Sequence, residues 1–419
     1  MVELLSPAGD FTSLSAVLKN GADAVYIGLD GVNMRINASN FKLDQIKKAS
    51  QMAKEYNAKL YVCTNTIMRD KDVERLNKQL PVLADSGVDG LIISDIGLIE
   101  STCDYGMEAH ISVQENITNL NTLKTLKKLG AKRAILSREL SLRDIRNITK
   151  KSPIETEVFI HGAMCMAVSG RCFLSYGLYG RSANCGDCLQ PCRKNWKLSF
   201  DFDNNDKVIN SSDLKMDEES FLIGEAYDNT YRTTFFSPKD MAMIEHIPEL
   251  MESGVDAFKI EGRARSADYA ATATNVYRQA IDLYNKDKEN YKYNPKWMEQ
   301  LQEVFNRGFD TGFYFNTPYE ISENNKSEYV KKDIGKVLNY YNKPKVAEIK
   351  IWDDLSLGDE LMVQGPTTGS VRYTVDSMEI ENRKIEKACK GQDVGVYFPE
   401  KLRKNDFVYK LVKREDFEN

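Results

Sequence analysis

The chain has 419 residues, 42% hydrophobic and 28% charged, enough for one large domain or two ordinary ones that hold a core without disulfides. A formal net charge of −5 argues against broad, non-specific binding to nucleic acid and leaves room for a local basic face. No basic N-terminal stretch leads into an apolar run, and no uninterrupted apolar segment approaches the roughly 18 residues of a membrane helix, so the expected setting is cytoplasmic and reducing, with no membrane partner.

Short β-rich apolar runs come first, at 2–5, 24–27, 60–63, 90–93, 108–113, 134–136 and 157–160, and one more follows late, at 257–260. Between them, 43–56, 73–86, 120–129 and 142–150 repeat apolar residues at the i, i+3, i+4 spacing of a helix with one buried face. Gly21, Gly87, Gly130 and Gly254 follow such helices, where glycine supplies a left-handed cap before the next strand. Repeated β–helix–Gly–β units imply parallel strands with right-handed crossovers. The expected fold is therefore α/β: a TIM-like (β/α) barrel over residues 1–325, with a doubly wound open sheet as the alternative.

Residues 193–235 break this rhythm with Asp201, Asp203, Asn204, Asn205 and Asp206, and read as a β-ribbon or insertion at the barrel rim. The stretches 266–284 and 295–307 read as helices. From about residue 330 the pattern changes to short strands at 345–351, 360–363, 371–378, 393–397 and 406–410, separated by Gly, Asn and Asp turns. A small C-terminal all-β barrel domain over 330–419 is expected. Residues 331–419 hold 17 Lys and Arg against 16 Asp and Glu, so this domain is not a basic tail by charge alone.

Five of the eight cysteines, Cys165, Cys172, Cys185, Cys188 and Cys192, fall within 28 residues with the spacing C-x6-C-x12-C-x2-C-x3-C. Clustered thiolates in a reducing setting read as ligands of a soft or borderline metal. Gly162, Gly170, Gly177, Gly180 and Gly186 let that backbone fold tightly. The segment directly follows the expected strand at 157–160, at the strand end where parallel β/α folds carry their chemistry. Spacing alone does not separate a 4Fe–4S cluster from zinc.

At these residues the chain resembles the peptidase U32 family, the so-called collagenase-like proteases. The segment EVFIHGAMCMAVSGRCFLS at 157–175 is similar to the family signature. Further similar blocks are LSPAGD at 5–10, SPKDM at 237–241, KIEGR at 259–263 and NRGFDTGF at 306–313. LSLGDELMVQGP at 355–366 resembles the family's C-terminal domain, itself similar to the second-domain β-barrel of translation factors. The family name implies a peptidase. Other members imply hydroxylation without molecular oxygen: of a tRNA uridine to 5-hydroxyuridine, of a ribosomal RNA cytidine, or of quinone precursors. In the RNA group the resemblance implies a 4Fe–4S cluster and a prephenate-like dicarboxylate co-substrate. Its C-x6-C-x15-C-x3-C pattern is reproduced by Cys165, Cys172, Cys188 and Cys192, with Cys185 as an extra thiol and alternative ligand. Quinone-type members take a ligand near the SPKDM block, which here carries Met241 and no cysteine.

The residues themselves give proteolysis weak support. The chain has three histidines, His110, His161 and His246, no HExxH helix and no GxSxG elbow. His161 stands four residues before Cys165, as a base, a group supporting the metal, or a packed strand-end histidine. Polar groups at expected strand ends are the other candidates: Glu157, Glu261, Lys259 and Arg263 for acid–base or charge stabilisation, and Arg35, Arg138 and Gln114 for binding a co-substrate, with Asn65, Asn116 and Glu139 nearby. Lys259, Glu261 and Arg263 alternate, so one face of a strand would carry all three. RNA as partner is expected at Arg171, Arg181, Arg193, Lys194 and Lys197 interleaved with Phe173, Tyr176, Tyr179 and Trp196. The alternatives are a peptidase, possibly containing zinc and acting on a protein or peptide, and a non-catalytic, zinc-stapled RNA- or protein-binding module.

Overall fold

The computed structural model describes residues 2–199, 230–233, 236–316, 318, 322 and 325–417. The strands before the first break are β1 (Glu3–Pro7), β2 (Ala24–Gly28), β3 (Lys59–Thr64), β4 (Gly90–Ile93), β5 (Glu108–Ile111), β6 (Arg133–Ile135), β7 (Glu155–Ala163) and β8 (Trp196–Ser199). After it come β9 (Thr230–Thr233), β10 (Asp240–Ala242), β11 (Ala257–Ile260) and β12 (Phe309–Asp310). From β1 to β7 each strand pairs in parallel with the next, and β11 pairs in parallel with both β7 and β1. The result is a closed eight-stranded parallel barrel ringed by helices, as the β–helix alternation requires.

Local chemistry sets the units. The strand β2 reads Ala-Val-Tyr-Ile-Gly and is buried throughout, as a strand between helices and a filled barrel interior must be. The helix Phe11–Lys19 starts at Asp10, whose carboxylate accepts from the Ser13 N–H at 2.8 Å. The helix Leu120–Leu129 starts the same way on Asn119 and stops on Gly130 in the left-handed conformation. Two departures from the expected elements shape the mouth. The strand expected over 108–113 stops at Ile111, because the chain turns into a 3-10 turn, Val113–Glu115, that ends on Asn116 at φ +47°. In the β7–β11 ladder Lys259 pairs with Phe159 but Ile260 pairs with His161, so β7 holds one extra residue, Ile160. This bulge breaks the alternation of β7. Glu157 and Phe159 face the interior with Lys259, whereas His161 turns outward onto Tyr269 and Tyr277 of the helix Ala267–Lys286.

Of the stretch 193–235 read as a ribbon or insertion, β8 and β9 pair antiparallel, and 200–229 and 234–235 lie outside the described residues. Strand β10 runs antiparallel to the end of β7 and parallel to β12.

A separate antiparallel domain follows: β13 (Tyr329–Tyr341), β14 (Val346–Ile351), β15 (Leu355–Ser356), β16 (Glu360–Gly365), β17 (Gly369–Thr374), β18 (Met378–Ile380), β19 (Arg383–Ile385), β20 (Lys387–Ala388), β21 (Asp393–Tyr397) and β22 (Phe407–Lys413). Its main sheet has the order β17-β16-β22-β13-β14-β21-β18-β19 around a core that includes Ile334, Val363, Val396 and Phe398. The strand expected over 371–378 is divided between β17 and β18. The domain rests on the barrel's flank. Lys19 Nζ donates to the carbonyls of Thr367 and Thr368 at 2.8 Å each, and Gln364 donates to Asp268 at 3.1 Å. Gly369, at φ +77°, lets its backbone approach so closely that a Cβ there would stand 3.1 Å from the Ala16 Cα. No described helix is long and apolar enough to cross a membrane.

Candidate functional site

Two charged layers fill the barrel. The floor, at the N-terminal ends of the strands, centres on Arg133 of β6. Its guanidinium pairs with Glu3 of β1 and with Glu155 and Glu157 of β7. Tyr61 donates to Glu3 at 3.1 Å, and Glu157 also accepts from Lys259 Nζ at 2.8 Å. Burial alone would raise the Glu157 carboxyl, but Lys259, Arg133 and His110 outweigh it and hold it ionised.

The mouth lies above, at the C-terminal ends. A cavity of about 70 Å³ is lined there by Tyr26, Arg35, Asn65, Gln114, Arg138, Phe159, Lys259, Glu261, Arg263 and Cys165, among others. Lys259, Glu261 and Arg263 thus reach one cavity, the first from β11 and the other two from the loop after it. Glu261 accepts from Arg35 at 3.2 Å. Burial pulls its carboxyl up, but Arg35, Arg138, Arg263 and Lys259 together keep it below the usual range. Arg138 stacks over Phe159, 3.8 Å from ring centre, and donates to the Ala163 carbonyl. Counting Glu157 beneath, four cations (Arg35, Arg138, Lys259, Arg263) face two carboxylates, an excess of two positive charges. An adjoining cleft of about 90 Å³ is lined by Asn116, Arg138, Glu139, Cys165 and Phe313. A larger cavity, about 640 Å³, lies outside the barrel beside β10 and β12, lined by Glu245, His246, Phe309 and Asp310. It lacks the convergence of buried charge that marks the mouth, so the mouth is the candidate site.

The cysteine segment caps this mouth. Gly170 packs on the Gln114 amide, where a Cβ would come within 2.7 Å. Gly186, at φ +85°, lies against the Asn33 carbonyl, where a Cβ would come within 2.4 Å, and its own carbonyl accepts from the Ile36 N–H. Asn184 accepts from the Cys172 N–H at 2.7 Å. Arg193 staples the far end, donating to the Met164 and Pro238 carbonyls and to Ser237 Oγ. Cys165 is exposed, and the other four are half-buried. Burial pushes the Cys188 and Cys192 thiols up, and neighbouring thiols add to it: Cys165 and Cys172 act on Cys188, and Cys165, Cys188 and Cys172 act on Cys192. Cys185, in the turn Ala183–Cys185, is not among the strongest neighbours of either. Cys165 and Cys172 thus lie near Cys188 and Cys192, a donor set whose chemistry fits a thiolate-bound metal centre. Among the described residues, no three His, Cys, Asp or Glu side chains converge as a ready metal cage.

The histidines stand apart from this mouth. His161 is buried among Tyr269, Tyr277 and Phe309, neither ring nitrogen has a hydrogen-bond partner among the described residues, and burial holds its pKa down at about 3. His110 is sealed in the floor against Tyr61 and shares a 2.9 Å hydrogen bond with Glu108. His246 packs on Phe315. On the outer face of the cysteine segment, Phe173 is 74% and Tyr176 57% exposed, and Tyr179 points outward with them. The cations expected between them are mostly engaged: Arg171 with the Gln114 carbonyl and Glu115, Arg181 with Asp187, and Arg193 in its staple. Trp196 folds onto the Pro191 carbonyl, Lys194 is exposed, and the Lys197 side chain lies outside the described residues.

Several residues at the mouth, Tyr26, Phe159 and Cys63 among them, and Asn33 behind it carry no place in the sequence reading of the site. Phe159 shares a strand face with Glu157, so alternation was a signal for it. Cys63, a buried thiol near the end of β3, lines the cavity. Asn33 is fully buried and accepts from Arg263 Nη1 at 3.0 Å and from the Arg35 N–H at 2.9 Å; a lone Asn in an irregular loop carries no periodic signal.

The model of peptidase family U32 matches residues 9–324. An uncharacterized protease of Methanocaldococcus jannaschii is 45% identical over 428 residues, covering 98% of each chain. A collagenase of Porphyromonas gingivalis is 34% identical over 434 residues, covering 99% of each. The tRNA hydroxylation protein P1 of Bacillus subtilis is 37% identical over 384 residues, covering 90% of this chain and 86% of the relative.

Proposed function

The chain belongs to peptidase family U32, and from that premise we propose that it is a cytoplasmic RNA-modifying enzyme that hydroxylates a tRNA uridine to 5-hydroxyuridine. In this reading Cys165, Cys172, Cys188 and Cys192 hold a 4Fe–4S cluster, with Cys185 outside the ligand set. The observation that carries it is the seating of the segment that bears these four thiols over a cation-rich barrel mouth, held there by Gly170, Gly186 and Arg193. The likeness to the tRNA hydroxylation protein supports the substrate class. When bound, such a cluster supplies electron transfer or a Lewis-acidic iron.

The chain's own groups do the rest. Arg35, Arg138, Lys259 and Arg263 bind an anion, and their excess of two charges matches a prephenate-like dicarboxylate. Glu261, held ionised by those cations, is the group placed to take up a proton. Both mouth cavities are far below the ~300 Å³ of a typical ligand pocket, so the cysteine segment lifts to admit a co-substrate of that size. Phe173, Tyr176 and Tyr179 offer stacking surfaces to the bases of a single-stranded RNA loop. Nucleoside mass spectrometry of tRNA from a deletion strain tests the reading: 5-hydroxyuridine disappears and returns on complementation, whereas an unchanged level rejects it. Zinc in place of iron is settled by anaerobic purification, where about four iron per chain is expected.

The likeness to a collagenase over the full length favours a peptidase as the second reading. Against it stands the absence of a nucleophile–base pair at the mouth among the described residues, with His161 and His110 both sealed away. Cleavage of a defined peptide that survives Cys165→Ala would favour it.

A further inference from the structure

We propose that the C-terminal domain carries a second RNA contact, centred on Phe407, which grips the substrate's backbone away from the mouth. This rests on the reading of RNA as substrate and names where else the chain holds it.

The domain is nearly neutral in total, but its charges are sorted in space. The turn leading into β22 carries Lys401, Arg403 and Lys404, and Lys401 and Lys404 are exposed. The turn's own carboxylate, Asp406, is buried and used internally, accepting from the Arg403 N–H at 2.7 Å and from Thr368 Oγ1 at 2.5 Å. Two backbone hydrogen bonds, Asn405 N–H to Val337 O and Val337 N–H to Asp406 O, pin the turn to β13. That register sets Lys336 opposite Phe407, with its ammonium 5.3 Å from the ring centre. The Phe407 ring is 44% exposed, and Tyr409 stacks beside it at 6.5 Å. Lys19 of the barrel adds a fifth cation across the domain boundary, close enough for Arg403 to depress its pKa after burial. The acidic neighbours lie at the edges. Glu400 adjoins Lys401, and Asp333 and Asp268 stand at the Tyr409 end, where Lys331 pairs with Asp268.

An exposed ring with a lysine against it and a basic turn just before it in the chain suits a nucleotide strand. The ring takes a base face, and the ammonium and guanidinium groups take phosphates. The nine-residue helix Phe11–Lys19 descends from the mouth, so Lys19 sits about 13 Å below it. A mononucleotide cannot touch both places, and a structured RNA can. The direct hydrogen bonds between domain and barrel make the contact a fixed distance and not a loose tether.

The test uses the full-length protein and unfractionated tRNA, with binding followed by fluorescence anisotropy over a range of salt. In the Lys336→Gln, Lys401→Gln, Lys404→Gln triple variant, Kd should rise about tenfold at low salt and the slope of log K against log salt should fall by about 2, from three lost phosphate contacts. The Phe407→Ala variant should weaken binding roughly five- to tenfold with the slope unchanged, because stacking releases no counterions. If the triple variant fails to fold, the exposed pair Lys401→Gln, Lys404→Gln asks the same question with a smaller slope change. Equal binding by wild type and variants overturns the second contact and leaves the reading of the mouth intact. Failure of the wild type to bind tRNA overturns both.

Discussion

The two charged layers of the barrel are built from the same residue types and behave differently. In the floor, one buried guanidinium answers three carboxylates, a tyrosine and a lysine complete the set, and the charges are spent on one another. In the mouth, cations outnumber carboxylates, and the cavity they line opens toward the cysteine segment. Buried charge that is paired within the fold is a structural device whose members cannot be removed singly. Unbalanced charge at strand ends costs folding free energy and is retained where a ligand supplies the missing partner. Substitutions that separate these two roles test the distinction.

The largest effect is expected at the cap of the mouth. Replacing Cys165, Cys172, Cys188 or Cys192 by alanine should abolish both iron binding and tRNA hydroxyuridine in a complemented deletion strain. Cys185→Ala should keep both within about twofold, since four thiolates suffice for the cluster. Equal iron loss in the Cys185 variant would move it into the ligand set. Next comes the contrast between layers. Arg133→Leu leaves Glu3, Glu155 and Glu157 without their shared partner and should cost about 3–5 kcal/mol in urea unfolding. Arg35→Gln should cost only about 1 kcal/mol, because Arg138, Arg263 and Lys259 still surround Glu261. Its activity should nevertheless fall at least tenfold. Reversed magnitudes would erase the distinction between floor and mouth.

Much of this arrangement is legible in the chain itself. The strands at 24–27, 60–63 and 90–93 are continuous apolar runs, and periodic helical stretches follow the first two at 43–56 and 73–86, so much of the barrel is written in local pattern. The alternation of Lys259, Glu261 and Arg263 already marks a shared face, and the structure adds the cavity they enter. Two features were not legible. The bulge at Ile160 depends on how β7 pairs with β11, some hundred residues later, and no local signal announces it. Arg193 reads as one of several basic residues near aromatics, whereas its carbonyl acceptors, Met164 and Pro238, come from distant parts of the chain.

The bulge has a consequence that can be measured. It takes His161 out of the mouth and into an apolar site, with its pKa held at about 3 against 6.5 when unfolded. The folded state therefore binds fewer protons than the unfolded chain between those values. The stability contributed is fully present above about pH 6.5 and is lost as pH falls toward 3, to a total of roughly 3–5 kcal/mol. His161→Phe should flatten that part of the stability–pH curve and leave hydroxylation at neutral pH within about threefold. A large loss of activity with an unchanged curve would instead return His161 to the chemistry.

The smallest expected effect makes the sharpest comparison, because Lys132 and Arg133 are adjacent and both reach Glu155. Arg133, the first residue of β6, points into the barrel, and Lys132 just before the strand stays outside. The Lys132 ammonium lies 2.6 Å from one Glu155 oxygen, a shorter contact than the 2.8 Å of Arg133 to the other. Distance alone would rank Lys132 first. Its side chain is 47% exposed, however, against 3% for Arg133, so water screens the pair and already solvates the ammonium in its absence. Lys132→Ala should thus change stability by less than about 0.5 kcal/mol, with the difference shrinking further in 1 M salt. Glu155 loses little, because Arg133 still binds it through Nε and Nη2. A Lys132→Ala cost comparable to that of Arg133→Leu would mean that contact distance, and not burial with its unpaired remainder, decides which charges hold this barrel together.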